Sequence, residues 1–181
     1  MRELSLHILD LAENSVRAGA SLLEIDIKEL IENNQLIIEL KDNGKGMSKE
    51  FLNNVTNPFT TTRTTRKVGL GIPLMKMNCE KTDGYFNISS EENKGTKIEC
   101  MLAYNHIDRA PMGNIIDTIM SLILYSEQMD FKYTHYINDN SFVFDTREIK
   151  QILDGVPLDA PEVFDWLKSY LIEKFEMIKN A

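Results

Sequence analysis

A chain of 181 residues in which 43% are hydrophobic can bury a sizeable core and is neither disordered nor fibrous in composition. Its 28 acidic residues against 20 Lys and Arg leave a formal net charge of −8, which argues against nucleic acid as a main partner, because affinity for phosphate backbones comes from clustered cations. No apolar run approaches the roughly 20 residues that a membrane span needs, and the N-terminus lacks a basic-then-apolar leader pattern. A cytoplasmic protein without a membrane partner is expected. Cys79 and Cys100 are distant in sequence, lack metal-type spacing and read as reduced, partly buried thiols.

Residues 3–17 read as a helix, with Leu4, Ile8, Leu11 and then Ser15 or Val16 at helical spacing and Ala18-Gly19 as the stop. Its other face carries His7, Asp10 and Asn14, three and four residues apart, which in an isolated helix would be a solvated polar stripe. Leu22 to Lys28 alternates as a half-buried strand, Glu32-Asn33-Asn34 supplies a turn, and Leu36 to Lys41 forms a second strand that delivers Asp42 into a glycine turn. Ser48 caps a short helix over 48–55, and 58–68 is rich in Thr and Arg. A helix starts near Gly71 with Pro73 tolerated in its first turn, and Gly84 ends it. Tyr85 to Ser89 and Thr96 to Leu102 form a hairpin around Glu92-Asn93-Lys94-Gly95.

Beyond Asn105 the pattern changes. Residues 113–125 are apolar nearly all round, as in a helix buried on several sides. Phe131 to Ile137 and Phe142 to Phe144 alternate as strands, Thr146 can cap a short helix, and Asp159 with Glu162 resembles a capping box opening a last helix with Phe164, Leu167, Leu171, Phe175 and Ile178 inward. The division expected is 1–104 and 105–181.

The chemistry concentrates between Asp42 and Gly71. Asp42, Gly44 and Gly46 form one glycine turn and Gly69, Leu70 and Gly71 a second, with hydroxyls and the cations Arg63, Arg66 and Lys67 between them. Glycines admit close backbone approach and a helix start attracts anions, so this layout suits a phosphorylated ligand. With Asp10 to Ala18 before it and Lys94-Gly95-Thr96 after it, residues 4–104 resemble the ATP-binding domain of the GHKL (Bergerat-fold) superfamily, and more closely its histidine-kinase branch. The resemblance implies an α+β fold, a two-layer sandwich with a mixed sheet and helices on one face. It also implies ATP with Mg²⁺, Asn14 as the metal ligand, Asp42 as acceptor of the adenine amino group with Thr96 in support, Gly44 and Gly46 at the adenine end, and Gly69, Leu70 and Gly71 at the phosphates beside Arg63 or Lys67.

Three departures from the family pattern bear on activity. Lys67 stands where a further glycine is usual, the segment before Gly69 is short, and Asp10 replaces the glutamate that activates water in hydrolysing relatives. His106, Arg109 and Pro111 match a phosphoacceptor spacing but follow the ATP-binding region, and three residues precede Leu4, so no phosphoacceptor domain is expected. His106 reads as part of a structured connection, His7 as a site-side or surface residue, and His135 as a strand residue. The function expected is an ATP·Mg-binding regulatory protein whose residues 105–181 engage a protein partner. The alternatives are a stand-alone kinase acting in trans on Ser, Thr or His, and a slow ATPase using Asp10 as general base, with a homodimer compatible with each.

Overall fold

In the computed structural model the described residues are 3–56 and 70–180. Helix α1 (Leu4–Arg17) is followed by the antiparallel pair β1 (Leu22–Leu30) and β2 (Gln35–Asp42), joined by a 3₁₀ turn and the left-handed Asn34. Alternation decides the buried face: Leu23, Ile25 and Ile27 of β1 and Leu36, Ile38 and Leu40 of β2 are almost wholly buried, while the residues between them face outward. Then come α2 (Lys49–Val55), α3 (Gly71–Glu80) and the hairpin β3 (Tyr85–Glu91) and β4 (Gly95–Ala103).

The chain beyond residue 104 adds α4 (Ile115–Ile123), β5 (Asp130–Ile137), β6 (Asn140–Asp145), α5 (Thr146–Leu153) and α6 (Pro161–Lys179). The six strands form one sheet in the order β3-β4-β2-β1-β5-β6. Every neighbouring pair is antiparallel except β1 and β5, which run parallel with Ile25 opposite Tyr133 and Ile27 opposite His135. The sheet is therefore mixed and continuous across residue 104. Helices α1, α3 and α6 lie against its apolar face, with α4 between α1 and α6. The other face carries charged pairs such as Lys28 with Glu39 at 2.7 Å and Lys97 with Glu39 at 3.3 Å, so it stays in water.

Four local expectations change. His7 is 3% exposed and Asp10 and Asn14 are half-buried, so the polar stripe of α1 is partly covered by the fold instead of fully solvated. The cap of α5 is Asp145, whose carboxylate accepts from the Arg147 N–H; the Thr146 hydroxyl turns back to Asp130 and the Phe131 backbone. Helix α6 starts after Ala160 with Pro161 in its first turn and no side-chain cap, so Asp159 and Glu162 form no capping box. Cys79 and Cys100 are both fully buried and stand together: a hydrogen bond between the Cys100 thiol and the Cys79 side chain that favours the protonated form, and then burial, push the Cys100 thiol well above its usual range.

Candidate functional site

Strand β2 ends at Asp42, opposite Thr96 of β4 on one side and Leu23 of β1 on the other. Backbone pairing on both sides leaves only the side chain free to point out of the sheet, and two donors fix that side chain. The Ser15 hydroxyl donates to Asp42 Oδ2 at 2.8 Å, and the Gly44 N–H donates to Oδ1 at 2.9 Å. Each carboxylate oxygen keeps a lone pair for a further donor. Next to it, Asn43 accepts from the Ser21 and Leu22 N–H groups, which ties the turn to the start of β1.

The glycines here answer to particular contacts. A Cβ on Gly44 would lie 2.9 Å from Ala18 Cβ, so the turn can press against the end of α1 only without a side chain. Gly46 has φ +62°, and a Cβ on it would sit 2.0 Å from the Glu91 carbonyl oxygen. The hairpin end of β3 and β4 closes on this turn through Asn93 N–H to Lys45 O at 2.7 Å. The Ser90 hydroxyl accepts from the Met47 N–H, donates to Gly95 O and lies 2.9 Å from Thr96 Oγ1.

These elements bound a cavity of about 610 Å³. Asn14, Asp42, Gly46 and Thr96 line it, with Leu11, Leu40, Met47, Phe51, Val55 and Ile98 as apolar wall. A mostly apolar cleft with few convergent polar groups is the usual form of a small-molecule site. Ile72 of α3 also lines it. Helix α3 begins at Gly71 against α1, where a Cβ on Gly71 would meet Asp10 Cβ at 3.0 Å. Its first N–H groups carry no side-chain cap, which makes this end attractive to anions.

The structure thus brings Asn14, Asp42, Gly46 and Thr96 to one cavity, with Gly44 directly behind it. Leu70 is 57% exposed at the entrance to α3, and Asp10 is beside Gly71 without lining the cavity among the described residues. Arg63, Arg66, Lys67 and Gly69 lie outside the described residues. Ser15 escaped the sequence reading because it occupies an apolar-stripe position of α1; a hydroxyl in that stripe, one helical turn after Leu11, was the available signal. Ser90 and Asn43 left no comparable trace.

The Asn14 amide fits a cation ligand. Its oxygen accepts only a 3.3 Å bond from Arg17, while Asn14 Nδ2 is buried with no partner among the described residues. Held only by that long Arg17 bond, the amide oxygen keeps a lone pair that a hard cation can take, whereas turning the amide over would set its N–H groups against the Arg17 guanidinium.

His106 sits in a turn, its Nδ1 accepting from the Asp108 N–H and its Nε2 3.8 Å from Asp83. Among the described residues no helix is long and apolar enough to cross a membrane, and no three or more His, Cys, Asp or Glu side chains are gathered into a cluster that could hold a metal ion.

Comparison with known proteins gives the same region. Residues 2–106 match the family described as histidine kinase-, DNA gyrase B- and HSP90-like ATPase. Sporulation kinase E of Bacillus subtilis is 32% identical over 96 residues, covering 53% of this chain and 13% of its own. The autoinducer 2 sensor kinase/phosphatase LuxQ of Vibrio parahaemolyticus is 24% identical over 96% of this chain, which spans 20% of that protein. The crystal structure of the N-terminal domain of a DNA repair protein shares the fold with TM-score 0.53 at 15% identity, over 79% of this chain and 52% of that one.

Proposed function

Because the chain belongs to the family of histidine kinase-, DNA gyrase B- and HSP90-like ATPases, we propose that the cavity between α1, β2 and β4 binds ATP with Mg²⁺, and that nucleotide occupancy sets how residues 105–181 engage a protein partner. The observation that carries the reading is the oriented carboxylate of Asp42. Held by Ser15 and Gly44, it accepts the adenine amino group, a donor that guanine lacks at that position. Thr96, across the strand pair, supports the same edge of the base, and Gly46 lets the ring lie against the turn. Asn14 holds the metal, which when bound neutralises phosphate charge. Gly69, Leu70 and Gly71 receive the phosphates at the start of α3, with Arg63 or Lys67 as counter-charges.

Helix α1 carries Asn14 and Ser15 on its cavity side and packs against α4, where the Thr118 hydroxyl donates to Ser5 O at 3.1 Å. A ligand that fixes α1 therefore bears directly on the region assigned to the partner. The resemblance to sensor kinases over the first hundred residues favours one further reading, transfer of the γ-phosphoryl group to that partner, since such transfer needs mainly positioning and charge neutralisation. Asp10 as a water-activating base belongs to a hydrolytic variant of the same site.

Calorimetric titration with ADP tests the proposal. Asp42→Asn is expected to weaken ADP by about 1–3 kcal/mol, because an amide donor now faces a donor, and to erase the preference over GDP while the melting temperature holds. Unchanged ADP affinity in the folded variant overturns the assignment. Asn14→Ala should weaken ATP in Mg²⁺ and leave it unchanged in EDTA; an equal loss in both removes the metal role.

A further inference from the structure

A second cavity, of about 410 Å³, lies away from the nucleotide cavity and shares no lining residue with it. It is bounded by the end of β1, the segment around Met112, the start of α4, the end of β5 and the last turns of α6. Its walls are apolar, with Ile31, Ile115, Ile116, Ile137 and Phe175, and the acid among its lining residues is Glu29.

That carboxylate belongs to a chain of hydrogen bonds reaching into the core. The Tyr133 hydroxyl pairs with His135 Nδ1, His135 Nε2 lies 2.8 Å from Glu29 Oε1, and the Tyr104 hydroxyl donates to Glu29 Oε2 at 3.0 Å. His135 is wholly buried, stacked on Phe142 with Phe175 edge-on at 4.9 Å, and Glu29 is 14% exposed. Burial pushes the Glu29 carboxyl up, but the hydrogen bond and charge of His135, then Tyr104 and Arg109, more than offset it, so the group is held ionised below its usual range. An ionised carboxylate at the wall of an apolar cavity is unfavourable unless its free lone pairs find a donor. The network holds His135 at Oε1 and Tyr104 at Oε2, and each carboxylate oxygen keeps a further lone pair for an added donor.

We propose that this cavity is a second ligand site, taking a small organic ammonium whose branched or aromatic body fills the isoleucine-lined space and whose charge meets Glu29. The volume falls within the range of small-ligand pockets. Lys179, the cation on the lining, is exposed in the last turn of α6 and can keep its ammonium in water while its stem covers the rim. Neutral apolar ligands would strip water from the carboxylate without offering a donor in its place, and carboxylates would meet like charge.

Calorimetry of the full chain with 3-methylbutylammonium, in the presence and absence of ADP, tests this. Binding should persist in saturating ADP, be at least about tenfold tighter than that of 4-methylpentanoate, and be weakened at least about tenfold in both Glu29→Gln and the cavity-filling Ile116→Trp. Glu29→Gln keeps an acceptor for His135; should it fail to fold, Ile116→Trp and the carboxylate probe carry the test. No binding, equal binding of the carboxylate, or unchanged affinity in the folded variants overturns the proposal. Competition by ADP would place the amine in the other cavity and overturn it as well.

Discussion

The Ser15 hydroxyl is 2.8 Å from Asp42 Oδ2, and its loss tests whether orientation of that carboxylate matters for binding. Ser15→Ala is expected to lower stability by about 0.5–1.5 kcal/mol, the net worth of one hydrogen bond, and to reduce ADP affinity by loosening the carboxylate. Calorimetry beside thermal melting would check it, and an unaltered affinity would make Ser15 a packing residue only. Glycine positions separate by their neighbours. Gly19 (φ +68°) has open space around its missing Cβ, so Gly19→Ala should lower stability by roughly 1–2 kcal/mol from backbone alone. Gly46→Ala adds a collision with the Glu91 carbonyl and should be the more damaging of the two in urea unfolding. Acid stability follows from three carboxyls held below their usual range: Glu29 as above, Glu39 by the hydrogen bond from Lys28, and Asp145 by that from Arg147. Groups with depressed folded values contribute stability above their unfolded values, and that contribution is lost as pH falls through the folded ones. Unfolding free energy should therefore decline from about pH 5 toward pH 3, and the decline should be shallower in Glu29→Gln; parallel curves would contradict the pairing.

Among the elements, β5 joins two stretches that sequence alone leaves separate. Periodicity revealed β5 as a strand, since Phe131, Tyr133 and His135 alternate, but its parallel partner β1 is over a hundred residues earlier and no local pattern encodes such a pairing. The hairpins were legible because turn residues and alternation both lie within a short window, as at Asn93 and Gly95. The cavity was legible in part, through the resemblance of the motifs holding Asn14, Asp42, Gly46 and Thr96 to the GHKL family, whereas the role of Ser15 depends on how α1 is rotated over β2. The chain Tyr133, His135, Glu29 and Tyr104 was invisible because it is assembled across two strands and a turn. Phe131, fully buried in β5, gives the corresponding test. Phe131→Ala should cost about 3–5 kcal/mol. Because the sheet is continuous, that loss should appear in a single transition that also removes ADP binding; separate transitions would show that β5 and β6 unfold apart from the nucleotide cavity.

At the scale of the whole molecule, among the described residues one mixed sheet carries the cavity where α1, β2 and β4 meet and a smaller one toward the end of α6. Helix α1, which lines the larger cavity, packs on α4, whose first residues line the second. Everything proposed for the molecule depends on the larger cavity receiving an adenine nucleotide. Amide chemical-shift mapping with a non-hydrolysable ATP analogue and Mg²⁺ tests this most directly. Saturable shifts are expected, concentrated at Asn14, Ser15, Gly44, Gly46 and Thr96. Saturable shifts that avoid these residues, or none at all, would contradict it.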